Sequence, residues 1–321
     1  MNFVHQIGEE FADLVEIVSA ERGLRRSIVE KDYWVTHALW ALSVGGFEVW
    51  FKGGTSLSKG FGLIDRFSED LDLKIEPGVV STLPAVSNWK SEGRSATAER
   101  RAFFEALSNA VIVPDCSVLL DVDASAPAWR GASFRVSYPS LYPGELPPEV
   151  SSHVLLEVGS ARVTPFLPRD LTSWVHDRLD ASGFSSEFTD NRPRGVRCIH
   201  PMVTLLEKLD ALQRRFPNEQ VPAPTFVRHY EDAARLVAAA RTWQVIDGYA
   251  DVRELANEML DQRQLSALPT ADDRSFAPGD DVRWTAIRAA HTAIEPMFWG
   301  PRVTIDEACK LIRDWVATTL G

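Results

Sequence analysis

Cysteine is scarce in this chain of 321 residues, which contains only Cys116, Cys198 and Cys309. The three cysteines lie far apart and lack the paired spacing of a zinc site, and small secreted proteins held together by disulfides carry many more. We therefore expect three reduced thiols in a cytosolic protein.

Long hydrophobic runs are also missing from the sequence. No apolar segment reaches the ~18 residues from which a membrane helix is predicted, and residues 1–6 lack the basic and apolar regions of a signal peptide. We therefore expect a cytoplasmic protein without a membrane anchor. The hydrophobic content of 45% is enough for a core in one large domain or two ordinary ones.

Positive charge is in deficit. Lys and Arg number 34 against 45 Asp and Glu, which gives a net charge of −11. This balance argues against tight, non-specific binding of nucleic acid along the whole surface. A local basic patch is compatible with it, and an acidic surface also suits a basic protein partner.

A glycine-rich turn is the first of two informative segments. Lys52-Gly53-Gly54-Thr55-Ser56-Leu57-Ser58-Lys59 lies between a predicted strand and a predicted helix. Glycine lets the backbone approach phosphates closely, and helix N-termini attract anions. We predict four residues that hold the β- and γ-phosphates of a nucleotide: Gly53, Gly54, Thr55 and Ser56. Lys59, one helical turn further on, either reaches the same phosphates or is an exposed helix lysine.

Two carboxylates follow in Arg66-Phe67-Ser68-Glu69-Asp70-Leu71-Asp72-Leu73. Because successive side chains of a strand alternate between faces, Asp70 and Asp72 point the same way. Same-facing carboxylates repel each other unless a cation lies between them, and Mg²⁺ binds a few carboxylates together with waters and substrate phosphates. We predict Asp70 and Asp72 as metal ligands and Glu69 as a surface charge on the opposite face.

Hydrophobic periodicity predicts an α+β fold. Strands are expected at 47–52, 70–75, 117–123, 132–138 and 153–159. Helices are expected at 6–21, 26–43, 56–64, 96–112, 201–216, 225–241, 247–264 and 304–319. Thr304 or Asp306 is the expected cap of the last helix. From about residue 168 the strand signals fade. We therefore predict a core with a small mixed sheet in residues 1–165 and a mostly helical domain in residues 166–321.

The two informative segments, together with Val29-Glu30-Lys31-Asp32-Tyr33, resemble the AbiEii/AbiGii toxin family, which includes the abortive-infection toxins and the MenT toxins. Two later segments resemble further motifs of that family: Glu207-Lys208-Leu209-Asp210-Ala211-Leu212 with Arg214 or Arg215, and Arg228-His229-Tyr230-Glu231-Asp232. The resemblance runs in pieces from about residue 28 to residue 236. It implies a nucleotidyltransferase core of the polymerase-β-like kind, with the helical domain completing the nucleotide and acceptor cleft.

The resemblance also implies a third carboxylate on a later strand, which binds a second metal ion and accepts the proton of an attacking hydroxyl. Glu157 is our first candidate, because a lone carboxylate among aliphatic residues is costly to bury unless it is paired or binds metal. Asp121 and Asp123 compete with it. They repeat the Asp-hydrophobic-Asp pattern, but no glycine turn precedes them.

Two basic residues and one acidic residue are also predicted to belong to the nucleotide site. The resemblance gives Lys208 a triphosphate contact, for which a mobile ammonium is suited; the alternative is a salt bridge with Asp210 or Glu207. Arg66 is assigned to nucleotide binding. Asp232 is assigned to the catalytic set, where it positions Lys208 or Arg66 or approaches the base.

A basic loop offers a separate surface. Arg192, Arg194 and Arg197 suit the backbone of a nucleic acid, extended by Arg214, Arg215 and Arg241, or are merely solvated.

The predicted function is transfer of NMP from an NTP to an acceptor with two Mg²⁺ ions and release of pyrophosphate. The resemblance implies a toxin that is neutralised by a separately encoded antitoxin in a type IV toxin–antitoxin or abortive-infection system, and it makes tRNA the leading acceptor. The alternatives are a protein or small-molecule acceptor, or a non-catalytic nucleotide-binding defence component.

Overall fold

The computed structural model describes residues 1–68, 70–80, 82–123, 125–147, 150–160 and 162–321. The chain divides into two compact units, the first comprising Met1–Gly60, Ser68–Val163 and Leu167–Cys198, and the second Phe61–Phe67, Thr164–Phe166 and Ile199–Gly321. Arg66 therefore belongs to the second unit although Asp70 belongs to the first. The predicted division at residues 165/166 stays a prediction, and the predicted surface charge Glu69 lies outside the described residues.

A seven-stranded mixed sheet runs through the first unit. Its strands are β1 (Glu48–Lys52), β2 (Asp70–Glu76), β3 (Ser117–Asp121), β4 (Gly131–Ser137), β5 (Val154–Gly159), β6 (Phe166–Arg169) and β7 (Val196–Ile199). Their order is β3-β4-β5-β2-β1-β7-β6. The sheet is consistent with the α+β prediction. It is larger than predicted, because the short strands β6 and β7 fall where the alternating pattern fades.

The described residues of the first unit include the helices α1 (Gly8–Arg22), α2 (Arg26–Val44), α3 (Gly53–Thr55), α4 (Arg94–Ala110) and α5 (Trp174–Ser182). Helix α2 is buried over most of its length, including three consecutive charged residues. Glu30 accepts a hydrogen bond from the Leu141 amide (2.6 Å), and Lys31 donates to the Ser151 carbonyl (2.6 Å). Loop backbone thus satisfies Glu30 and Lys31, and the third charge, Asp32, pairs with the Lys59 ammonium (2.5 Å).

The second unit contains α6 (Pro201–Arg215), α7 (Arg228–Ala239), α8 (Val252–Asp261), α9 (Val282–Ala293) and α10 (Ile305–Thr319). Helix α7 packs against α6 and α10. Thr304 caps α10 in a reciprocal capping box with Glu307, as one of the two predicted caps. Helices α5 and α9 were not predicted from the periodicity.

No helix in the described ranges is both long and apolar enough to cross a bilayer. All three cysteines are free. Burial raises the pKa of each cysteine thiol to about 12, so none is ionised near neutral pH.

A buried polar network ties the N-terminal turn of the first unit to α2 and α5. The Asn191 amide lies at its centre, with Nδ2 3.0 Å from the Tyr33 hydroxyl and 2.8 Å from Nδ1 of His37. Oδ1 of the same amide lies 2.8 Å from Nε2 of His176. His5 completes the network through a 2.7 Å contact between its Nδ1 and the Tyr33 hydroxyl. Desolvation by burial lowers the pKa of His37 and of His176 to about 4.

We predict that the protein loses stability as pH falls from 6.5 towards 4. The unfolded chain protonates both histidines near pH 6.5, whereas the folded chain resists protonation down to about pH 4. Their contribution is fully present above pH 6.5 and is lost below it, at up to about 1.4 kcal/mol per pH unit for each histidine. Urea unfolding at several pH values measures this slope. In a His37→Gln/His176→Asn variant the slope should flatten; an unchanged slope would contradict the assignment.

Candidate active site

The glycine turn brings Gly53 against the carboxylate of Asp72. Strand β1 ends at Lys52, and Gly53 then adopts a φ of +75°, in the left-handed region that favours glycine. A Cβ atom on Gly53 would lie 1.8 Å from Oδ2 of Asp72, closer than two non-bonded atoms can approach. The backbone conformation therefore favours glycine, and a Cβ at this position would force the Asp72 carboxylate to move.

The hydroxyl of Thr55 joins the turn to the start of β2. Thr55 is 1% exposed, and its Oγ1 donates to the carbonyl oxygens of Asp70 (2.6 Å) and Ser68 (3.0 Å). Gly54 and Ser56 are buried beside it. Thr55 thus positions the backbone of Asp70, while a direct role of these residues in phosphate binding stays a prediction.

The register of four strands aligns a row of polar residues across the sheet. Lys52 of β1 is the partner of Asp72 of β2, and Asp72 is the partner of Glu157 of β5. Glu157 is in turn the partner of Ser133 of β4. Partners in register share one face of a sheet, and neighbouring strands lie about 4.8 Å apart. The sheet therefore presents Asp72 and Glu157 side by side, with Asp70 two residues earlier on the same face.

Positions in the sheet distinguish the three candidates for the third carboxylate. Asp121 of β3 is the partner of Ser133, so β4 and β5 separate it from β2, a distance of about 14 Å. Its carboxylate also pairs with Arg135, and Asp123 is exposed beyond the end of β3. Glu157 is the candidate that the sheet places next to Asp72.

The expectation that Glu157 is buried was wrong. Alternation along β5 places Leu156 and Val158 in the core and leaves Glu157 exposed. The Glu157 carboxylate is therefore accessible to a ligand. Its register with Asp72, and not burial, supports Glu157 as the third carboxylate.

A cleft of about 360 Å³ lies over this part of the sheet. Its lining includes Lys52, Asp72, Ser133 and Glu157 from the row, together with Arg130 and Ser160. No role was predicted for Lys52 or Ser133. The position of Lys52 directly before the glycine turn was the available signal for its place in the site, whereas Ser133 carried none.

The donors in the cleft fit a hard cation. Within the described part of the chain, no group of three or more His, Cys, Asp or Glu side chains is placed to hold a metal ion, so the protein alone does not supply a full ligand cage. Mg²⁺ does not need one, because it is commonly held by one or two carboxylates and completes its shell with waters and phosphates. Asp72 and Glu157 supply such a pair in an open cleft, whereas Asp70 is half-buried on the same face and is not among the residues that line the cleft.

Lys59 does not lie in the row of polar residues that contains Asp72 and Glu157. Its Nζ atom lies 2.5 Å from Oδ1 of Asp32, with both side chains at 10% exposure or less, and it donates to the Thr172 carbonyl (2.9 Å). Asp32 also accepts from the Trp174 amide (3.0 Å). The Lys59 charge is compensated inside the first unit, so we do not retain Lys59 as a phosphate contact.

In the second unit, Asp232 joins Arg66 and Lys208. The Arg66 guanidinium donates to both carboxylate oxygens of Asp232 at 2.8 Å, and Nζ of Lys208 donates to Oδ2 at 2.8 Å. All three side chains are at most 7% exposed. Burial alone would raise the pKa of Asp232, but the charges of Arg66 and Lys208 outweigh it and lower that pKa. The partner of Lys208 is thus Asp232, whereas Asp210 pairs with Arg214 (2.7 Å).

The predicted basic loop is largely neutralised by acidic neighbours. Arg192 contacts Asp180 (2.5 Å) and Asp190 (2.7 Å), and Arg194 contacts Asp190 (3.0 Å). Arg197 pairs with Glu48 (3.1 Å) and also stacks over the Trp50 ring. The loop therefore offers little uncompensated positive charge to a nucleic-acid backbone.

Comparison with known families identifies the chain. The family model described as nucleotidyl transferase AbiEii toxin, type IV TA system, matches residues 38–307. The chain belongs to this family, as its motifs indicated. Membership implies nucleotidyltransferase chemistry and a separate antitoxin. A search of curated proteins finds no match.

Replacing Gly53 by alanine should destabilise the first unit more than the same change at a matched glycine. Gly23 has a φ of +65° with open space around its Cβ position, whereas Gly53 has the Asp72 carboxylate in that space. We expect about 1 kcal/mol loss for Gly23→Ala from backbone strain alone, and a larger loss for Gly53→Ala, because the Asp72 carboxylate must also move aside. Urea unfolding compares the two; equal losses would contradict the contact.

Replacing Asp232 by asparagine should strongly destabilise the second unit. The change leaves Arg66 and Lys208 buried without their shared counter-charge, and such a loss typically costs about 3–5 kcal/mol in the free energy of unfolding. Asp314→Asn is the control, because the exposed Asp314–Lys310 pair should contribute about 0.5 kcal/mol or less. Urea unfolding measures both variants. Similar losses in the free energy of unfolding would show that Asp232 does not stabilise the buried charges of Arg66 and Lys208.

Proposed function

We propose that this chain is a Mg²⁺-dependent nucleotidyltransferase toxin that transfers NMP from an NTP to a hydroxyl of tRNA. The observation that carries the proposal is the side-by-side placement of Asp72 and Glu157 in the cleft, next to the glycine turn. Membership of the family supports the reaction class and the separate antitoxin. Because NTP and tRNA are cytoplasmic substrates, we place the reaction in the cytoplasm.

The proposed reaction is a single in-line displacement. The acceptor hydroxyl oxygen forms a bond to the α-phosphorus, the bond from that phosphorus to the bridging oxygen breaks, and pyrophosphate leaves with the electron pair. The hydroxyl proton passes to the Glu157 carboxylate, which acts as general base. Two Mg²⁺ ions held by Asp70, Asp72 and Glu157 would neutralise the phosphates and stabilise the charge on the attacking and leaving oxygens.

Other residues have supporting roles in this proposal. Gly53 lets the Asp72 carboxylate lie against the turn, and Thr55 holds the backbone at Asp70. Lys52 brings a positive charge to the row next to Asp72, where phosphate charge would collect. Within the second unit, Asp232 orients the ammonium of Lys208 and compensates its charge, and the predicted triphosphate contact of Lys208 stays a prediction.

A protein or small-molecule hydroxyl is the second candidate acceptor. The neutralised arginine loop and the net charge of −11 favour it, because both reduce the attraction of the surface for a long nucleic-acid backbone.

The test is incubation of purified protein with each α-³²P-labelled NTP, Mg²⁺ and total tRNA. We expect label on tRNA from the wild type and a loss of at least about 100-fold for Asp72→Asn and for Glu157→Gln, since each removes a charge used in the transition state. Asp121→Asn is the matched control and should retain activity, because three strand spacings separate it from Asp72.

The outcomes separate the candidates. Label on protein instead of tRNA would move the proposal to the second acceptor. Full activity of Glu157→Gln together with inactive Asp121→Asn would reverse the assignment of the general base. No transfer to any acceptor, with nucleotide still bound, would contradict the enzymatic proposal.

A further inference from the structure

We infer that Asp32 is a positioning residue of the nucleotide site, which acts through Lys59. The buried pair that these two side chains form fixes the backbone of the glycine turn where that turn meets the β- and γ-phosphates of the NTP. The inference rests on the proposed function and on the predicted binding of those phosphates by residues 53–56. It gives the Asp32–Lys59 pair a role other than direct phosphate contact.

The helical segment after strand β1 changes its winding within a few residues. Gly53–Thr55 forms the single α-helical turn α3, and Ser56–Gly60 continues as a π-helical turn. A π-helical turn is rare, occurs frequently at functional sites and bends the helix that contains it. The backbone that follows Gly53 therefore adopts an uncommon conformation, which other contacts must hold in place.

Lys59 attaches this π-helical turn to two other segments of the first unit. Its Nζ atom lies 2.5 Å from Oδ1 of Asp32 on α2 and donates to the Thr172 carbonyl at 2.9 Å. The other carboxylate oxygen of Asp32 accepts from the amide of Trp174, the first residue of α5, at 3.0 Å. The π-helical turn, α2 and the start of α5 thus meet at one buried ion pair.

The other end of the same segment is attached to the start of β2. The Thr55 hydroxyl donates to the Asp70 carbonyl at 2.6 Å, and the Ser58 hydroxyl donates to the Thr55 carbonyl at 3.2 Å. Residues 53–59 are therefore held on one side by β2 and on the other by α2. Loss of the attachment to α2 would let the π-helical turn relax towards a regular helix and would shift the N–H groups of the glycine turn.

The charges of the Asp32–Lys59 pair are better explained by geometry than by stability. Two charges lose their hydration when they are buried, and an uncharged pair of similar volume is often as stable or more so. Charged hydrogen bonds supply direction instead, because they fix where the Lys59 ammonium lies. Phosphate binding needs this precision, since a displacement of about 1 Å in a substrate-positioning group can be costly.

The experiment measures the Kd of the purified protein for a non-hydrolysable NTP and for the matching NMP, by calorimetry with Mg²⁺ present. The variant is Asp32→Asn/Lys59→Met, which removes both charges but keeps similar side-chain volumes and an acceptor for the Trp174 amide. The Kd for the NTP analogue should rise at least about tenfold, the effect of weakened charged hydrogen bonds to phosphate. The Kd for NMP should not change, because NMP has no β- or γ-phosphate.

Two controls distinguish positioning from general damage to the first unit. Urea unfolding should find the double variant about as stable as the wild type, because no unpaired charge is left buried. Glu30→Gln is the matched variant, since Glu30 is also buried on α2 but accepts hydrogen bonds from residues 140–142 and none from the π-helical turn. It should leave the Kd for the NTP analogue unchanged.

The inference and the proposed function fail in different ways. The positioning role is overturned, and the transferase stands, if the folded double variant keeps the wild-type Kd for the NTP analogue or loses affinity for the analogue and NMP equally. A double variant that does not fold would also overturn it, because the pair would then serve stability. A wild type that binds the analogue but labels no acceptor would reject the transferase, and the Kd values would still decide the role of Asp32. A wild type that binds no NTP would reject both.

Discussion

The register between β1, β2 and β5 is the constraint on which the site depends. It sets Lys52, Asp72 and Glu157 in one row, and a shift of one residue in β5 would turn Glu157 into the core and expose Leu156. The apolar residues that alternate with the carboxylates hold this register, since Leu71 and Leu73 are at most 1% exposed. The hydrophobic core thus determines where the charges meet.

Two sets of charged side chains near the candidate site have different environments. Asp32 with Lys59, and Asp232 with Arg66 and Lys208, form buried, hydrogen-bonded pairs whose removal from water is compensated locally. Asp72 and Glu157 instead share an open cleft. Two carboxylates at neighbouring positions repel each other, and a bound cation would reduce that repulsion. The carboxylates in the open cleft therefore support the proposed metal chemistry, whereas the buried pairs support positioning roles.

The sequence was sufficient where a local pattern determined the outcome. Alternation placed Asp70 and Asp72 on one face, and the capping signal at Thr304 identified the start of α10. Long-range pairing was not readable in the same way. Lys59 looked available for phosphate because its partner Asp32 lies on another helix, and Arg66 meets Asp232 across 166 positions of sequence. The arginine loop was interpreted without its acids, although Asp180 and Asp190 are close in sequence. Glu157 was predicted as the third carboxylate because it was expected to be buried, and it is exposed. What favours it instead is the strand register, which places it beside Asp72.

We propose that Asp72 and Glu157 hold the metal ions of a nucleotide site. The most direct measurement is a crystal structure of the wild type with Mn²⁺ and a non-hydrolysable NTP, with the ions located by their anomalous scattering. Mn²⁺ peaks are expected within about 2.5 Å of the Asp72 and Glu157 carboxylate oxygens, with the phosphates on the Gly53 side. Bound nucleotide and Mn²⁺ elsewhere, with both carboxylates free of metal, would contradict it.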